Sequence, residues 1–314
     1  MGKAQELKKL VLQEKTIYVQ PHNFPDPDGI GSAFALCELI KAIGGKSKIF
    51  YHGALQRTIM LDMIADMNID MNLVDEPVLS PDDKIIVVDC SPQNSNVMDI
   101  GGTVIGVIDH HEFIKNLDLP FIDIQPDVGA TSTIIAGYYF ELGIPVSRDA
   151  ATALAVGVNI DTAFLSRKIT PTDITIYAQL VEHMDVDVMR FITINNLELK
   201  DMQYFRNALD HYKMHHNFLF CNIGNNLDSN FTGIVADFFL SIKEIDFVLV
   251  ISMIDTGIIL SVRNIKSEWN AAKVIQTALQ GIGTGGGHKH MAGGFVKWSE
   301  RNHSDIENEL FNRF

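Results

Sequence analysis

A chain of 314 residues, 46% hydrophobic and 20% charged, is long enough for two domains of ordinary size and holds no uncharged apolar window near the roughly 18 residues of a membrane span, so a transmembrane helix is excluded. Its net charge is −14, with 14 Lys and Arg against 26 Asp and Glu over residues 1–190 and 11 against 13 over residues 191–314. That balance argues against tight, sequence-independent binding of long nucleic acid, which needs a basic stripe, but does not exclude a short nucleotide held locally through metal ions.

Residues 1–14 read as a short amphipathic helix, with no apolar core of a signal peptide. Thr16–Gln20 is a compact β-like run, and Ala33–Ile43 an apolar helix stopped by Gly44-Gly45. Between them lies His22-Asn23-Phe24-Pro25-Asp26-Pro27-Asp28-Gly29-Ile30-Gly31-Ser32, at the strand-to-helix turn where open α/β sheets bind ligands. Lys48–Tyr51 reads as a second strand and residues 57–67 as a helix whose Met60, Met63 and Met67 are core packing. Lys84–Asp89 and Thr103–Ile108 are continuous apolar runs of the kind buried on both faces of a sheet, the first ending in Asp89 and the second in Asp109-His110-His111. Helices are expected at 130–143, opened by the turn Asp127–Thr133 and closed by Gly143, at 149–163, with Asp161 near its end, at 171–183, and as one long stretch at 186–213.

Beyond the long stretch the pattern restarts, with strands at 217–222, 247–251, 257–262 and 295–298 and helices at 234–242 and 271–279. Gly281–Gly287, followed by His288, reads as a loop. The fold class is α/β: a mostly parallel sheet over residues 1–190, a helical linker over 191–215, and a smaller α/β domain over 216–314. Cys37, Cys90 and Cys221 are odd in number and far apart; they form neither a disulfide framework nor a zinc pattern, and fit a reducing cytoplasm.

The strand ends supply His22, Asp26, Asp28, Asp89, Asp109, His110 and His111, with Asp161 from a helix end. Mixed imidazole and carboxylate ligands suit manganese, iron, cobalt or zinc better than magnesium or calcium. There are enough for two ions if one carboxylate bridges, and two ions can clamp a phosphoryl group and generate hydroxide at neutral pH. Taken singly, each residue also fits a turn, a cap or a solvated helix end. Together they would repel one another heavily without cations. His211 and His215 have the i,i+4 spacing of a helical metal pair, but no carboxylate completes a set, and an exposed helix end accounts for them.

The order His-x3-Asp-x-Asp, then Asp after an apolar strand, then Asp-His-His, then a late Asp resembles the DHH phosphoesterase superfamily. His22, Asp26 and Asp28 match its first motif, Asp89 the second, Asp109-His110-His111 the third and Asp161 the fourth. The glycine run with His288, and Ser261-Val262-Arg263 upstream of it, resemble the DHH-associated substrate-binding domain, and Asp127–Thr133 resembles a family motif too. Overall the chain looks most like the nano-RNase and 3′-phosphoadenosine-5′-phosphate phosphatase branch.

The resemblance implies that His22 and Asp26 hold one metal ion, normally manganese, that Asp28, His110 and Asp161 hold the other, and that Asp89 bridges them. It implies that His111 faces the substrate phosphate, that Asp109 orients an imidazole, and that Arg263, Gly285, Gly286, Gly287 and His288 bind substrate. The implied activity is hydrolysis of short oligoribonucleotides or 3′-phosphoadenosine-5′-phosphate by a metal-activated water, in a cytoplasmic homodimer. A pyrophosphatase or exopolyphosphatase with the same ligands is the enzyme alternative. A nucleotide-binding sensor is the non-enzyme one, and a RecJ-type exonuclease fits an acidic chain poorly.

Overall fold

Strands that are apolar on both sides must be covered on both faces, and the computed structural model shows what covers them. It describes residues 2–55, 58–94, 96–111, 117–194, 197–225, 229–298 and 303–314. Residues 57 and 195–196, which fall within two of the predicted helices, lie outside the described residues. The chain divides into two compact units, Met1–Asn196 and Leu197–Phe314.

The first unit runs α1 (Lys3–Val11), β1 (Ile17–Gln20), α2 (Pro27–Ala42), β2 (Ser47–Tyr51), α3 (Thr58–Asp66), β3 (Met71–Leu73), β4 (Leu79–Val88), β5 (Gly101–Asp109), β6 (Phe121–Ile124), α4 (Thr131–Leu142), α5 (Arg148–Asp161), α6 (Pro171–Val181) and α7 (Val186–Ile194). Its sheet has the order β3-β2-β1-β4-β5-β6, with every neighbouring pair parallel. The alternate residues Ile17, Val19, Ile86, Val88 and Ile108 pack against the helices, among them Ile30, Leu36 and Leu39 of α2 and Leu154 of α5. The other alternates, Ile85 and Val87, are covered by Val74, Val97, Met98 and Ile100 from the connections after β3 and β4 instead of by helices. Met60, Met63 and Met67 are buried in the helical layer, as expected. Full burial of a side chain such as Leu39 contributes roughly 2–3 kcal/mol.

Two local features draw α2 to its place. Pro27 opens the helix and Asp26 caps it, accepting the N–H groups of Asp28 and Gly29 at 3.0 Å each. Gly31 lies on α5, where a Cβ would come within 2.6 Å of the Ala153 carbonyl oxygen. The close approach of α2 and α5 therefore needs glycine at 31, and it brings the N-terminal end of α2 beside residues of both α4 and α5.

The long helix expected at 186–213 is broken. α7 ends at Ile194, and Glu198 is extended, with its N–H bonded to Asp201 at 2.9 Å at the start of a single 3-10 turn, Leu199–Asp201. That is a new N-terminus, and α8 (Met202–His211) follows it in the second unit. The rest of that unit is β7 (Lys213–His215), β8 (Phe218–Asn225), α9 (Ser229–Leu240), β9 (Phe247–Ile254), β10 (Gly257–Asn264), α10 (Ala271–Ala278), β11 (Thr284–Gly287), β12 (Met291–Lys297) and α11 (His303–Arg313). The sheet order is β11-β12-β10-β9-β8-β7, antiparallel except for the parallel β8–β9 pair. Ile258, Leu260 and Val262 of β10 pack toward α10, while Val248 and Val250 of β9 pack toward α8 and α9. His215 lies in β7, so His211 and His215 do not share a helix.

The glycine run is a strand, not a loop. β11 pairs antiparallel with β12, and the pairing places Gly285 opposite Gly294 and Gly286 opposite Gly293. A Cβ on Gly294 would sit 2.6 Å from Leu279 and 2.8 Å from Ile275, and one on Gly285 would sit 3.0 Å from Ile275. Small residues here let α10 lie close on the sheet, which is a packing reason for glycine in a strand.

Candidate metal centre

Three adjacent parallel strands, β1, β4 and β5, end side by side and deliver their following residues to one edge. β1 leads through Pro21 to His22, β4 to Asp89, and β5 to Asp109, His110 and His111. α2 adds Asp26 and Asp28 from its first turn, and α5 adds Asp161 from its last. Asp89 has φ +59, a left-handed backbone that a non-glycine residue adopts at a cost. That conformation ends the strand and turns the carboxylate into the cluster.

The side chains form overlapping sets in which the donor atoms lie within 4.8 Å of one another: His22, Asp26 and Asp89; Asp28, His110 and Asp161; and Asp89, His110 and His111. Asp89 is central. Its Oδ2 is 3.7 Å from His22 Nε2 and its Oδ1 is 3.6 Å from His110 Nε2. His110 Nε2 is also 3.1 Å from Asp161 Oδ2, and His22 Nε2 is 3.7 Å from Asp26 Oδ1. His22 Nδ1 donates to the Asn23 carbonyl at 2.9 Å and His110 Nδ1 to the Val128 carbonyl at 3.4 Å. A ring whose Nδ1–H is committed to a carbonyl presents Nε2 as a lone pair, the form that ligates a metal.

The charges are out of balance without a cation. Burial together with the charge of Asp161 pushes the Asp28 carboxyl up to about 6, and burial together with Asp26 pushes Asp161 up to about 7. Asp89 is raised well above the usual carboxylate range by burial and by Asp28, Asp26, Asp161 and Asp109. Burial opposes charge on His22, but Asp26 outweighs it and pushes the imidazole up to about 9. Burial likewise opposes charge on Asp26, whose carboxyl is nevertheless held below its ordinary range by His22. Buried carboxylates that repel one another, next to imidazoles that ligate a metal in their neutral form, are a donor set that fits divalent ions of the manganese, iron, cobalt or zinc type. Cys90, beside Asp89, is buried, and burial and the neighbouring carboxylates push its thiol up, which leaves the donor set one of nitrogen and oxygen.

A second layer holds these carboxylates in place, and sequence reasoning assigned most of it no role here. α4 begins at Thr131 without a side-chain cap of its own. Asp28 supplies it from α2, accepting the Thr131 N–H at 2.7 Å on Oδ2 and the Ser132 N–H at 2.9 Å on Oδ1. The Thr131 hydroxyl donates to Asp89 Oδ1 at 2.9 Å. Gly157 of α5 leaves the room, since a Cβ there would lie 2.8 Å from Asp28 Oδ1. The loop Asp127–Thr133 is thus more than a helix start; its sequence signals were the run of small hydroxyl residues and the resemblance to a family motif.

His111 differs from His110. Its side chain is 41% exposed, against 3% for His110, and its Nδ1 donates to Asp109 Oδ1 at 2.8 Å while its backbone N–H bonds the same oxygen at 3.0 Å. Asp109 is buried and fixes the ring orientation. Nε2 is therefore the nitrogen of His111 left to face away from Asp109.

In the second unit, Arg263 on β10 is held by Asp237 of α9, Nε to Oδ1 at 2.7 Å and Nη2 to Oδ2 at 3.4 Å, and its Nη1 donates to Ser261 Oγ and the Val262 carbonyl. Gly233 of α9 makes room for the guanidinium. Sheet register puts Gly286, Gly293, Ser261 and Arg263 on one face, and Gly285, Gly287 and Gly294 on the other, toward α10. A Cβ on Gly286 would meet nothing within 4 Å. Of the three glycines expected to bind substrate, only Gly286 shares the face of Arg263. Gly285 packs on Ile275, and Gly287 has φ +143 with its Cβ direction blocked 2.5 Å away by the Met291 carbonyl oxygen. His288 follows β11, and its backbone N–H bonds the Met291 carbonyl at 2.7 Å.

The model of the DHH family N-terminal domain matches residues 16–158, and that of the DHHA1 domain matches residues 214–306. An uncharacterised protein of Methanocaldococcus jannaschii is 28% identical over 295 residues, 93% of this chain and 59% of that protein. A probable manganese-dependent inorganic pyrophosphatase of Clostridium acetobutylicum is 28% identical over 185 residues, 57% of this chain and 58% of that protein. The chain thus spans less than two thirds of the length of these relatives. An exopolyphosphatase-related protein from Bacteroides fragilis superposes with a TM-score of 0.79 at 16% identity, covering 99% of this chain and 94% of the other, a likeness of fold. Among the described residues, no helix is long and apolar enough to cross a membrane.

Proposed function

We propose, from the DHH N-terminal domain and the DHHA1 domain that the chain carries, that it is a metal-dependent phosphoesterase that hydrolyses short oligoribonucleotides, 3′-phosphoadenosine-5′-phosphate, or both. The observation that carries the proposal is the division of Asp89, one carboxylate oxygen toward His22 and the other toward His110. A carboxylate so divided suits a bridge between two ions. His22 and Asp26 would hold one, and Asp28, His110 and Asp161 the other, with manganese the metal named for the pyrophosphatase relative.

When bound, such a pair of ions polarises a phosphoryl oxygen and makes a hydroxide nucleophile available at neutral pH. The chain's own residues do the rest. Asp89 fixes the spacing, held by the Thr131 hydroxyl. His111, with Nδ1 anchored on Asp109, places Nε2 to hydrogen-bond a phosphoryl oxygen, or as imidazolium to protonate the leaving oxygen. Asp109 touches no substrate in this scheme and acts as a positioning residue. In the second unit, taken by itself, Arg263 and the open backbone at Gly286 are the groups suited to an anionic ligand. The partner molecule is a small nucleotide. The acidic chain argues against long nucleic acid, and a cytoplasmic homodimer completes the proposal.

The second reading, a pyrophosphatase or exopolyphosphatase, is favoured by the curated relatives, which match 57% of this chain or less apart from the M. jannaschii protein. A panel with manganese decides between them: a dinucleotide, a five-nucleotide RNA, a long single strand, 3′-phosphoadenosine-5′-phosphate, a linear product of cyclic-dinucleotide cleavage and pyrophosphate, each with wild type and Asp89→Asn. Hydrolysis of the short nucleotides, lost in the variant, is expected. Hydrolysis of pyrophosphate alone would overturn the nucleotide assignment, and no hydrolysis with metal bound would move the chain to the sensor class.

A further inference from the structure

Phe24 stands inside the metal-binding loop, two residues from His22 and two from Asp26, yet its side chain is 55% exposed. Its backbone is the opposite of loose. Its N–H bonds the His52 carbonyl at 2.7 Å, the Asn23 N–H bonds the Asn96 carbonyl at 2.7 Å, and Asn23 Oδ1 accepts the Met98 N–H at 2.8 Å. Phe24 has φ +54, a left-handed conformation that a bulky aromatic residue adopts only under constraint. A large apolar side chain is thus held exposed, at a conformational cost, at the catalytic edge of the sheet. Strain of this kind concentrates where it serves binding.

The surroundings are shaped to the ring. Gly53, with φ +94, lies against it, and a Cβ there would come within 2.5 Å of Phe24 Cδ1. The His52 ring meets Phe24 edge-on, with centroids 6.0 Å apart, and is itself fixed by an Nδ1 bond to the Val74 carbonyl at 2.9 Å. His52 and Gly53 follow β2, the strand beside β1, so both aromatic rings sit at the same carboxyl edge as the ligands. Nothing in the ligand set needs an aromatic residue at this position.

We infer that Phe24, backed by Gly53 and braced by His52, is a stacking platform for the nucleobase of a nucleoside phosphate whose phosphate lies at the metal centre. The inference deepens the proposed function and rests on it. An exposed, preordered aromatic face accepts any base, because each has a π-face, and so adds affinity without reading sequence. Inorganic pyrophosphate has no group to place there.

The test is calorimetric binding of adenosine 5′-phosphate and of ribose 5-phosphate to the manganese-loaded full chain, with a melting temperature for each variant. Phe24→Asn removes the ring and suits the left-handed backbone, so it folds at least as stably as wild type. It is expected to weaken adenosine 5′-phosphate about tenfold and to leave ribose 5-phosphate unchanged. Phe24→Trp is expected to keep or raise the nucleotide affinity, and His52→Ala to weaken it less than Phe24→Asn does. Equal loss of both ligands, no loss of either, or no binding of adenosine 5′-phosphate by wild type would overturn the inference. The two readings fail separately. Hydrolysis of short nucleotides with Phe24→Asn indistinguishable from wild type removes the platform and keeps the function. Base-dependent binding through Phe24 with hydrolysis of pyrophosphate alone does the reverse.

Discussion

The Thr131 hydroxyl donates to the carboxylate oxygen of Asp89 that faces His110, at 2.9 Å. Thr131 is fully buried, and its backbone N–H at the same time bonds Asp28. One residue therefore sets the orientation of carboxylates from two different elements. Thr131→Val keeps the shape and the backbone bond but removes the donor. Partners that orient ligands typically matter about 10–100-fold in metal affinity or activity. Thr131→Val is expected to lose that much manganese affinity by titration, with Thr131→Ser restoring most of it. An unchanged titration in Thr131→Val would show that the hydroxyl does not position Asp89.

Asp89 itself is predicted to have opposite effects with and without metal. Its left-handed φ of +59 is tolerated by asparagine, so Asp89→Asn isolates the charge from the backbone. In the metal-free chain the substitution removes a buried carboxylate crowded by Asp28, Asp26, Asp161 and Asp109, and the melting temperature should rise. Manganese should then stabilise the variant far less than wild type, and kcat/KM should fall roughly a thousandfold or more, equivalent to about 4 kcal/mol of transition-state stabilisation. Calorimetry with manganese and with a chelator measures both signs in one series. A variant less stable than wild type in chelator would contradict the crowding argument.

The clustering of the candidate ligands was legible because the apolar runs 84–88 and 103–108 end abruptly in charged residues, as a buried strand does on reaching a sheet edge. Their supports were not. Thr131 and Asp28 are 103 positions apart, and no local pattern reports that one caps the other's helix. The backbone of Asp89 and of Phe24 was equally hidden, because left-handed geometry in a non-glycine residue is imposed by tertiary contacts. β11 was read as a loop because four residues of Thr-Gly-Gly-Gly carry no side-chain alternation; the pairing with Gly293 and Gly294 makes it a strand. The break after α7 was missed because apolar periodicity continues across it, with no proline or glycine between 186 and 213.

The pH dependence of the metal-free chain has a definite sign. Asp28, raised from 3.8 to about 6, and Asp161, raised to about 7, bind protons more tightly folded than unfolded, and Asp89 is raised as well. Their contribution to stability is complete below about pH 4 and is lost as pH rises through 6 and 7. His22, raised from 6.5 to about 9, continues the loss above pH 6.5. Asp26 is lowered and acts oppositely, its contribution being lost only as pH falls below the ordinary carboxylate range. Metal binding needs the carboxylates ionised and the imidazoles neutral, so it releases protons and strengthens with pH. The gap in melting temperature between manganese-loaded and chelated protein should widen from pH 5.5 to pH 8. A gap independent of pH would mean that these groups do not hold the ion.

The glycines of the second unit separate packing from recognition by position alone. Gly294→Ala forces a Cβ to 2.6 Å from Leu279 and 2.8 Å from Ile275 in the core beneath α10, and overpacking of this kind costs about 1–3 kcal/mol. Its melting temperature should fall. Gly286→Ala points the same added methyl into open space on the other face of the sheet, in register with Gly293 and Ser261 and on the side of Arg263. Its melting temperature should match wild type. If that face receives the nucleotide, the methyl stands where the ligand must approach the backbone, so KM should rise with kcat little changed, the signature of lost ground-state binding. Arg263→Lys should move the same way, because a lysine cannot keep the paired bonds to Asp237 that fix the position of the cation. A Gly286→Ala protein with wild-type stability and wild-type KM would place nucleotide recognition elsewhere and leave the glycine strand with packing as its sole reason.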